Sequence, residues 1–166
     1  MNEEFVESLA TSSTPYALAM ADLDHFKRLN DLQGHEGGDR ALRIFAEVLR
    51  KSVRHTDYVA RRGGAEFAVL FPQANADQAF QRVQHIRTHL AETLRALHHT
   101  PFTVSLGIAD STMADCFEEM PRIADEALYS SKDNGRDRAT IAAVATDRHV
   151  EAVLSATHSD SQRRSG

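Results

Sequence analysis

Acids, an amide, a lysine and two adjacent glycines recur in this chain at spacings that suit a polyanion site. Asp22 closes an apolar run, Tyr16 to Ala21. A carboxylate at the end of a buried strand is costly unless paired or metal-bound. A hard divalent ion such as Mg²⁺ suits it, and the turn carbonyl of Leu23 offers another oxygen. Asp24 is read first as a cap for the helix that begins near His25. Only one of these two acids is expected to reach a shared site. The start of that helix presents free N–H groups beside Lys27, an arrangement suited to phosphate; read alone, Lys27 is a solvated surface lysine. Asn30 and Asp39 can read a purine edge, the carboxylate accepting from guanine N1 and N2 while the amide donates and accepts. The same two residues also suit a polar helix face and an N-cap. Lys132 and Arg136, four apart near a helix end, complement the helix dipole. Arg54 and Asp57 read as a local ion pair of small weight. His85 and His89 lack an evident third ligand for a metal, and Cys116, without a partner, reads as a small buried or half-buried residue.

Positioning these groups requires a hairpin. Tyr58 to Phe71 holds two apolar-rich runs separated by Gly63-Gly64, a strong signal for a tight turn between antiparallel strands. Glycine adopts positive φ without steric cost and leaves open space above the turn, where a ligand can approach the backbone. Ala65 and Glu66 border that space. Adjacent strand residues face opposite ways, so Glu66 is expected on the side of the sheet away from position 65.

Around the hairpin, Tyr16 to Ala21 is apolar on both parities, as in a central strand covered on both faces. His25 to Gln33 reads as a short helix closed by Gly34, and Asp39 as the cap of a second helix carrying Leu42, Phe45, Val48 and Leu49. Ala76 to Leu97 is a long core-facing helix with Ala79, Val83, Ile86, Leu90, Leu94 and Leu97 on one stripe. Phe102, Val104, Leu106 and Ile108 alternate with Thr103, Ser105 and Gly107, a strand with one buried face. A last helix carries Met120, Ile123, Ala124, Ala127 and Leu128, with Pro121 in its first turn and Gly135 at its C-cap. Ala139 to Val144 closes the sheet. The order predicts an α+β fold with helices packed on a mainly antiparallel sheet. Residues 1–15 read as a helix remnant and linker, 16–144 as the domain, and 145–166 as a mobile tail with a turn or two of helix near Val150 to Leu154.

The 166 residues suit one domain, and 42% hydrophobic content supports one core. A net charge of −5 argues against a nucleic-acid surface. No apolar run approaches the roughly 20 residues of a membrane span, and no secretory signal is evident, so a cytoplasmic location is expected.

Taken together, Asp22-Leu23-Asp24-His25-Phe26-Lys27, Asn30-Asp31, Gly34-His35, Gly38-Asp39, Arg61 with Gly63-Gly64-Ala65-Glu66-Phe67, Ser105-Leu106-Gly107, Ala124 to Tyr129, and Lys132 with Gly135-Arg136 resemble the GGDEF domain of diguanylate cyclases from about Tyr16 to Ile141. The resemblance implies a fold like that of nucleotidyl cyclase and polymerase palm domains, with a ferredoxin-like βαββαβ core. It also implies condensation of two GTP molecules to cyclic di-GMP and two pyrophosphates, across two domains of a homodimer. On this likeness Asp22 and the Leu23 carbonyl would hold divalent metal, Mg²⁺ or Mn²⁺. Asn30 and Asp39 would read guanine. The Phe26 backbone and Lys27 would contact phosphates, Lys132 and Arg136 would hold the terminal phosphates, and Gly63 and Gly64 would make room for the nucleotide. Arg54 and Asp57 resemble the family's inhibitory site for the cyclic dinucleotide.

Two features depart from the pattern. The family has Asp or Glu, a metal ligand beside the reacting 3′-hydroxyl, where this chain has Ala65. Either a naturally degenerate regulatory module or an acid-to-alanine replacement in a true cyclase accounts for it. Loss of one ligand is expected to cost about 3–5 kcal/mol in the transition state. The stretch that usually precedes the first helix is also missing, which implies an upstream sensor or dimerising region outside this sequence.

Overall fold

A computed structural model describes residues 14–143 of the chain. Predicted features at Met1 to Ser13, at Val144 and in the tail lie outside these residues. The chain runs β1 (Tyr16–Leu23), α1 (Phe26–Ser52), β2 (Tyr58–Gly63), β3 (Glu66–Pro72), α2 (Ala76–Ala96), β4 (Val104–Asp110), a 3₁₀ turn (Phe117–Glu119), α3 (Met120–Asp133) and β5 (Ala139–Ile141). The strands form one sheet in the order β2-β3-β1-β4-β5. All pairings are antiparallel except β4 with β5. No helix among the described residues is long and apolar enough to cross a membrane.

β1 sits at the centre because both of its faces are apolar. Ala17, Ala19, Ala21 and Leu23 join Phe45, Leu49, Val83, Ile86 and Leu90 in a core beneath α1 and α2. Tyr16, Leu18 and Met20 face the other way, onto Met120, Ala124 and Leu128 of α3. Phe45 meets Phe67 edge-to-face with ring centroids 5.1 Å apart, a geometry favourable by about 1 kcal/mol beyond area burial. On the α3 side, burial pushes the Tyr16 phenol above its ordinary range, helped by Glu118 and Cys116.

Four readings need correction. α1 is two helices joined at Gly34, whose backbone (φ 73°, ψ 174°) breaks the helical run as expected. The second half begins directly after Gly34, so Asp39 lies inside the helix and is not its cap. β4 is buried along its whole length, because α3 covers the face read as open. That approach depends on Gly107: a Cβ there would stand 2.1 Å from the Ala124 carbonyl oxygen and 2.1 Å from the Leu128 nitrogen. Leu97 lies just past α2 and is exposed, since the chain turns away from the core at His98 (φ 49°). Cys116 is exposed, at the entrance to the 3₁₀ turn. The remaining long stripe of α2 is buried as its period requires, and Asn75 and Gln78 close its N-terminus with a reciprocal capping box.

Candidate active site

The candidate site forms where β1 ends beside the β2–β3 turn. Gly63 and Gly64 both have positive φ, 154° and 50°, and nothing lies within 4 Å of a Cβ built on either. Arg61 staples this turn, donating from Nε and Nη2 to the Gly64 carbonyl at 3.1 and 2.7 Å. An open cleft above it is lined by Asp22, Gly63, Gly64, Ala65 and Glu66. The Ala65 carbonyl accepts from the Leu23 N–H at 3.3 Å, which ties the turn to the end of β1. The Ala65 side chain is buried and packs with the α1–α2 core.

Register decides which acid meets which. Asp22 is the direct cross-strand partner of Glu66, and directly opposed residues of an antiparallel pair share a face. Glu66 therefore stands on the Asp22 face, opposite the side on which Ala65 packs, as its offset to position 65 leads one to expect; that this is also the face of Asp22 is set by the register. The same face carries α3, and Lys132 in its last turn donates Nζ to Asp22 Oδ2. Arg136 lies beyond the helix rather than on it. Gly135 (φ 108°) and Arg136 itself (φ 62°) turn the chain back, so that its Nη1 donates to the Lys132 carbonyl at 3.3 Å.

Asp24 takes no part in this cleft. Residues two apart share a strand face, but the strand stops at Leu23 and the chain turns. Asp24 is buried, accepting from Thr103 Oγ1 and Ser105 Oγ at 2.7 Å each and from the Asp137 N–H at 3.0 Å. It knits the end of β1 to β4 and to the loop after α3 instead of capping α1. His25 occupies the cap position in the left-handed region with no side-chain cap. The first-turn N–H groups of α1 are thus not capped by a side chain, with Phe26 half-buried and Lys27 exposed beside them.

Asn30 and Asp39 come together through Gly38. A Cβ at Gly38 would lie 1.8 Å from Asn30 Oδ1, so the Asn30 amide rests directly on the backbone that precedes Asp39. Asp39 lines a cavity of ≈ 360 Å³ with Leu42, Arg43, Ala46, Arg61 and Phe67. Arg61 thus links the glycine turn to this cavity, a role that its sequence position did not signal.

Arg54 and Asp57 precede the far end of β2, Asp57 about 20 Å from Gly63 by strand rise. Their side chains are not paired with each other. Asp57 accepts the Arg54 backbone N–H at 2.8 Å through Oδ2 and Arg82 Nη1 at 3.2 Å through Oδ1. The Asp57 side chain is 1% exposed, and Arg82 also lies over the Phe71 ring at 5.6 Å. Arg82 was missed because it comes from α2, 25 residues away. His89 bonds Ser52 Oγ through Nδ1 at 2.8 Å, tying α1 to α2.

The cleft's donors are the carboxylates of Asp22 and Glu66 and nearby backbone oxygens. Among the described residues no group of three or more His, Cys, Asp or Glu is placed to hold a metal ion. Hard divalent cations want six or more oxygens and several charges. The apolar Ala65 and the Lys132 ammonium on Asp22 leave a donor set that does not fit a two-ion centre.

A mainly antiparallel five-stranded sheet, flanked by helices and with an acid ending its central strand beside a glycine hairpin, defines a palm-like nucleotidyl cyclase domain. Comparison with known proteins narrows this class. Residues 1–138 match the model for "Diguanylate cyclase, GGDEF domain". The chain is 39% identical over 127 residues to diguanylate cyclase DgcP of Pseudomonas aeruginosa, covering 75% of this chain and 19% of that protein. It is 38% identical over 124 residues to diguanylate cyclase DgcM of Escherichia coli, covering 74% and 30%. It also superposes on the crystal structure of the GGDEF domain of DgcB from Caulobacter crescentus in complex with c-di-GMP. That match has a TM-score of 0.72 and 34% identity over 83% of this chain and 81% of that one. The chain belongs to the GGDEF diguanylate cyclase domain family. It spans less than a third of the length of either of these two curated relatives.

Proposed function

We propose that this chain is a GTP-binding GGDEF domain whose diguanylate cyclase activity is strongly reduced. The carrying observation is the cleft beside the glycine turn, where position 65 carries alanine in place of a carboxylate and Asp22 is already bonded to Lys132. The binding roles fall to this chain's own groups. Asn30 and Asp39 read the guanine edge, and their adjacency through Gly38 supports that reading. Lys27 and the uncapped N–H groups at Phe26 and beyond take phosphate oxygens. Lys132 and Arg136, drawn together by the turn at Gly135, hold the terminal phosphates. The open space over Gly63 and Gly64 admits the nucleotide backbone.

The test is chromatographic detection of cyclic di-GMP made from GTP and Mg²⁺, at high protein concentration. Ala65→Asp is expected to exceed the chain as given by about 10²–10⁴ in rate. Equal turnover by both would refute the assignment, with Glu66, on the Asp22 face, the residue to examine.

A second reading, binding of cyclic di-GMP as a regulatory module, is supported by two features. A structurally similar GGDEF domain was crystallised with c-di-GMP, and Arg54 is exposed beside Asp57. Arg54→Ala is expected to abolish calorimetric binding of cyclic di-GMP; absence of binding by the native chain at micromolar protein removes this reading.

A further inference from the structure

The charges around the cleft differ from those a metal-binding polyphosphate site needs. Asp22 and Glu66 supply two carboxylates, cross-strand partners on one face. Lys132 and Arg136 supply two cations, and the first is bonded to Asp22 while the second folds onto the Lys132 carbonyl. The local sum is neutral, so no surplus negative charge remains to attract a divalent ion out of its hydration shell. Position 65 carries a methyl group that packs into the core, so the cleft offers no third acid. The Lys132 ammonium is partly buried, its side chain 32% exposed and that of Asp22 18%, so the pair is screened less than a surface ion pair.

We propose that Lys132 stands in for the metal, and that this cleft binds the phosphates of a guanine nucleotide without a divalent cation. This rests on the nucleotide-binding reading above. Asp22 orients the ammonium at the end of β1, and the ammonium offers its remaining N–H donors to phosphate oxygens. A lysine acts here as a point charge that needs neither six oxygens nor a carboxylate at position 65.

Equilibrium binding of GTP, followed by calorimetry in excess EDTA and again in saturating Mg²⁺, tests the proposal. The chain as given is expected to bind with Kd values that agree within about threefold, while Ala65→Asp binds at least about tenfold more tightly with Mg²⁺ than with EDTA. Lys132→Met is expected to weaken binding in EDTA by about tenfold or more, with an unchanged far-ultraviolet circular dichroism spectrum. A native chain that binds GTP in Mg²⁺ and loses about tenfold or more in EDTA overturns this inference and leaves the nucleotide-binding reading standing. Absence of binding in both conditions overturns both.

Discussion

Asp24 and Gly38 illustrate how residues of similar sequence prominence act on different properties. Asp24 is committed to three donors, and the Ser105 hydroxyl among them is fully buried. Asp24→Ala strands those donors in the interior, where each unsatisfied group costs about 1–3 kcal/mol. Chemical denaturation is expected to show a loss of about 3–5 kcal/mol, and a loss below about 1 kcal/mol would contradict the network. Gly38→Ala acts otherwise. The obstructed group is the end of the Asn30 side chain, which can rotate away, and alanine has a higher helix propensity than glycine by about 1 kcal/mol. Stability should therefore stay within about 1 kcal/mol, while GTP affinity falls about tenfold because Asn30 leaves its position beside Asp39. Unchanged affinity would remove Asn30 from guanine recognition.

Between elements, the close approach of α3 to β4 sets where Lys132 arrives. Gly107 lets the α3 backbone lie on the strand, and Ser131 anchors the last turn by donating to the Leu106 carbonyl at 2.7 Å. Lys132 follows directly, facing Asp22. Gly107→Ala meets backbone atoms of α3 instead of a flexible side chain. It should cost at least about 2 kcal/mol in urea denaturation and weaken GTP binding as α3 is displaced. A stable variant with native GTP affinity would show that the α3 position does not govern the cleft. At the hairpin, Arg61 bonds the Gly64 carbonyl in bidentate fashion, so the turn that borders Ala65 is held from its own strand.

For the molecule as a whole, the two proposed ligand regions occupy opposite ends of β2, the glycine cleft at one end and the Arg54–Asp57 turn at the other. Asp57 is bound to Arg82 of α2, so the second region is coupled to the helix layer rather than to the cleft. On the proposed cyclase reading, two GTP molecules held on separate domains must meet, which makes activity depend on encounter. The specific activity of Ala65→Asp is therefore expected to rise with protein concentration in a dilution series. A constant value over the series would mean that one domain suffices or that a dimer persists throughout.

The order of strands and helices, the central place of β1, the α2 stripe and the glycine turn were legible in the amino-acid sequence. Each rests on a local pattern: apolar period, breaker residues or the positive φ that glycine permits. The adjacency of Asn30 and Asp39 was also within reach, because both belong to the same kinked helical segment. The partners of the charged groups were not legible. The Asp22–Glu66 register, the Lys132–Asp22 contact 110 residues apart in sequence, the burial of Asp24 beneath Thr103 and Ser105, and the pairing of Asp57 with Arg82 all join distant segments. Local periodicity says which way a side chain leans from its own strand or helix. Which charge it meets depends on strand register and on how closely α3 settles over Gly107, and only the packed tertiary structure decides both.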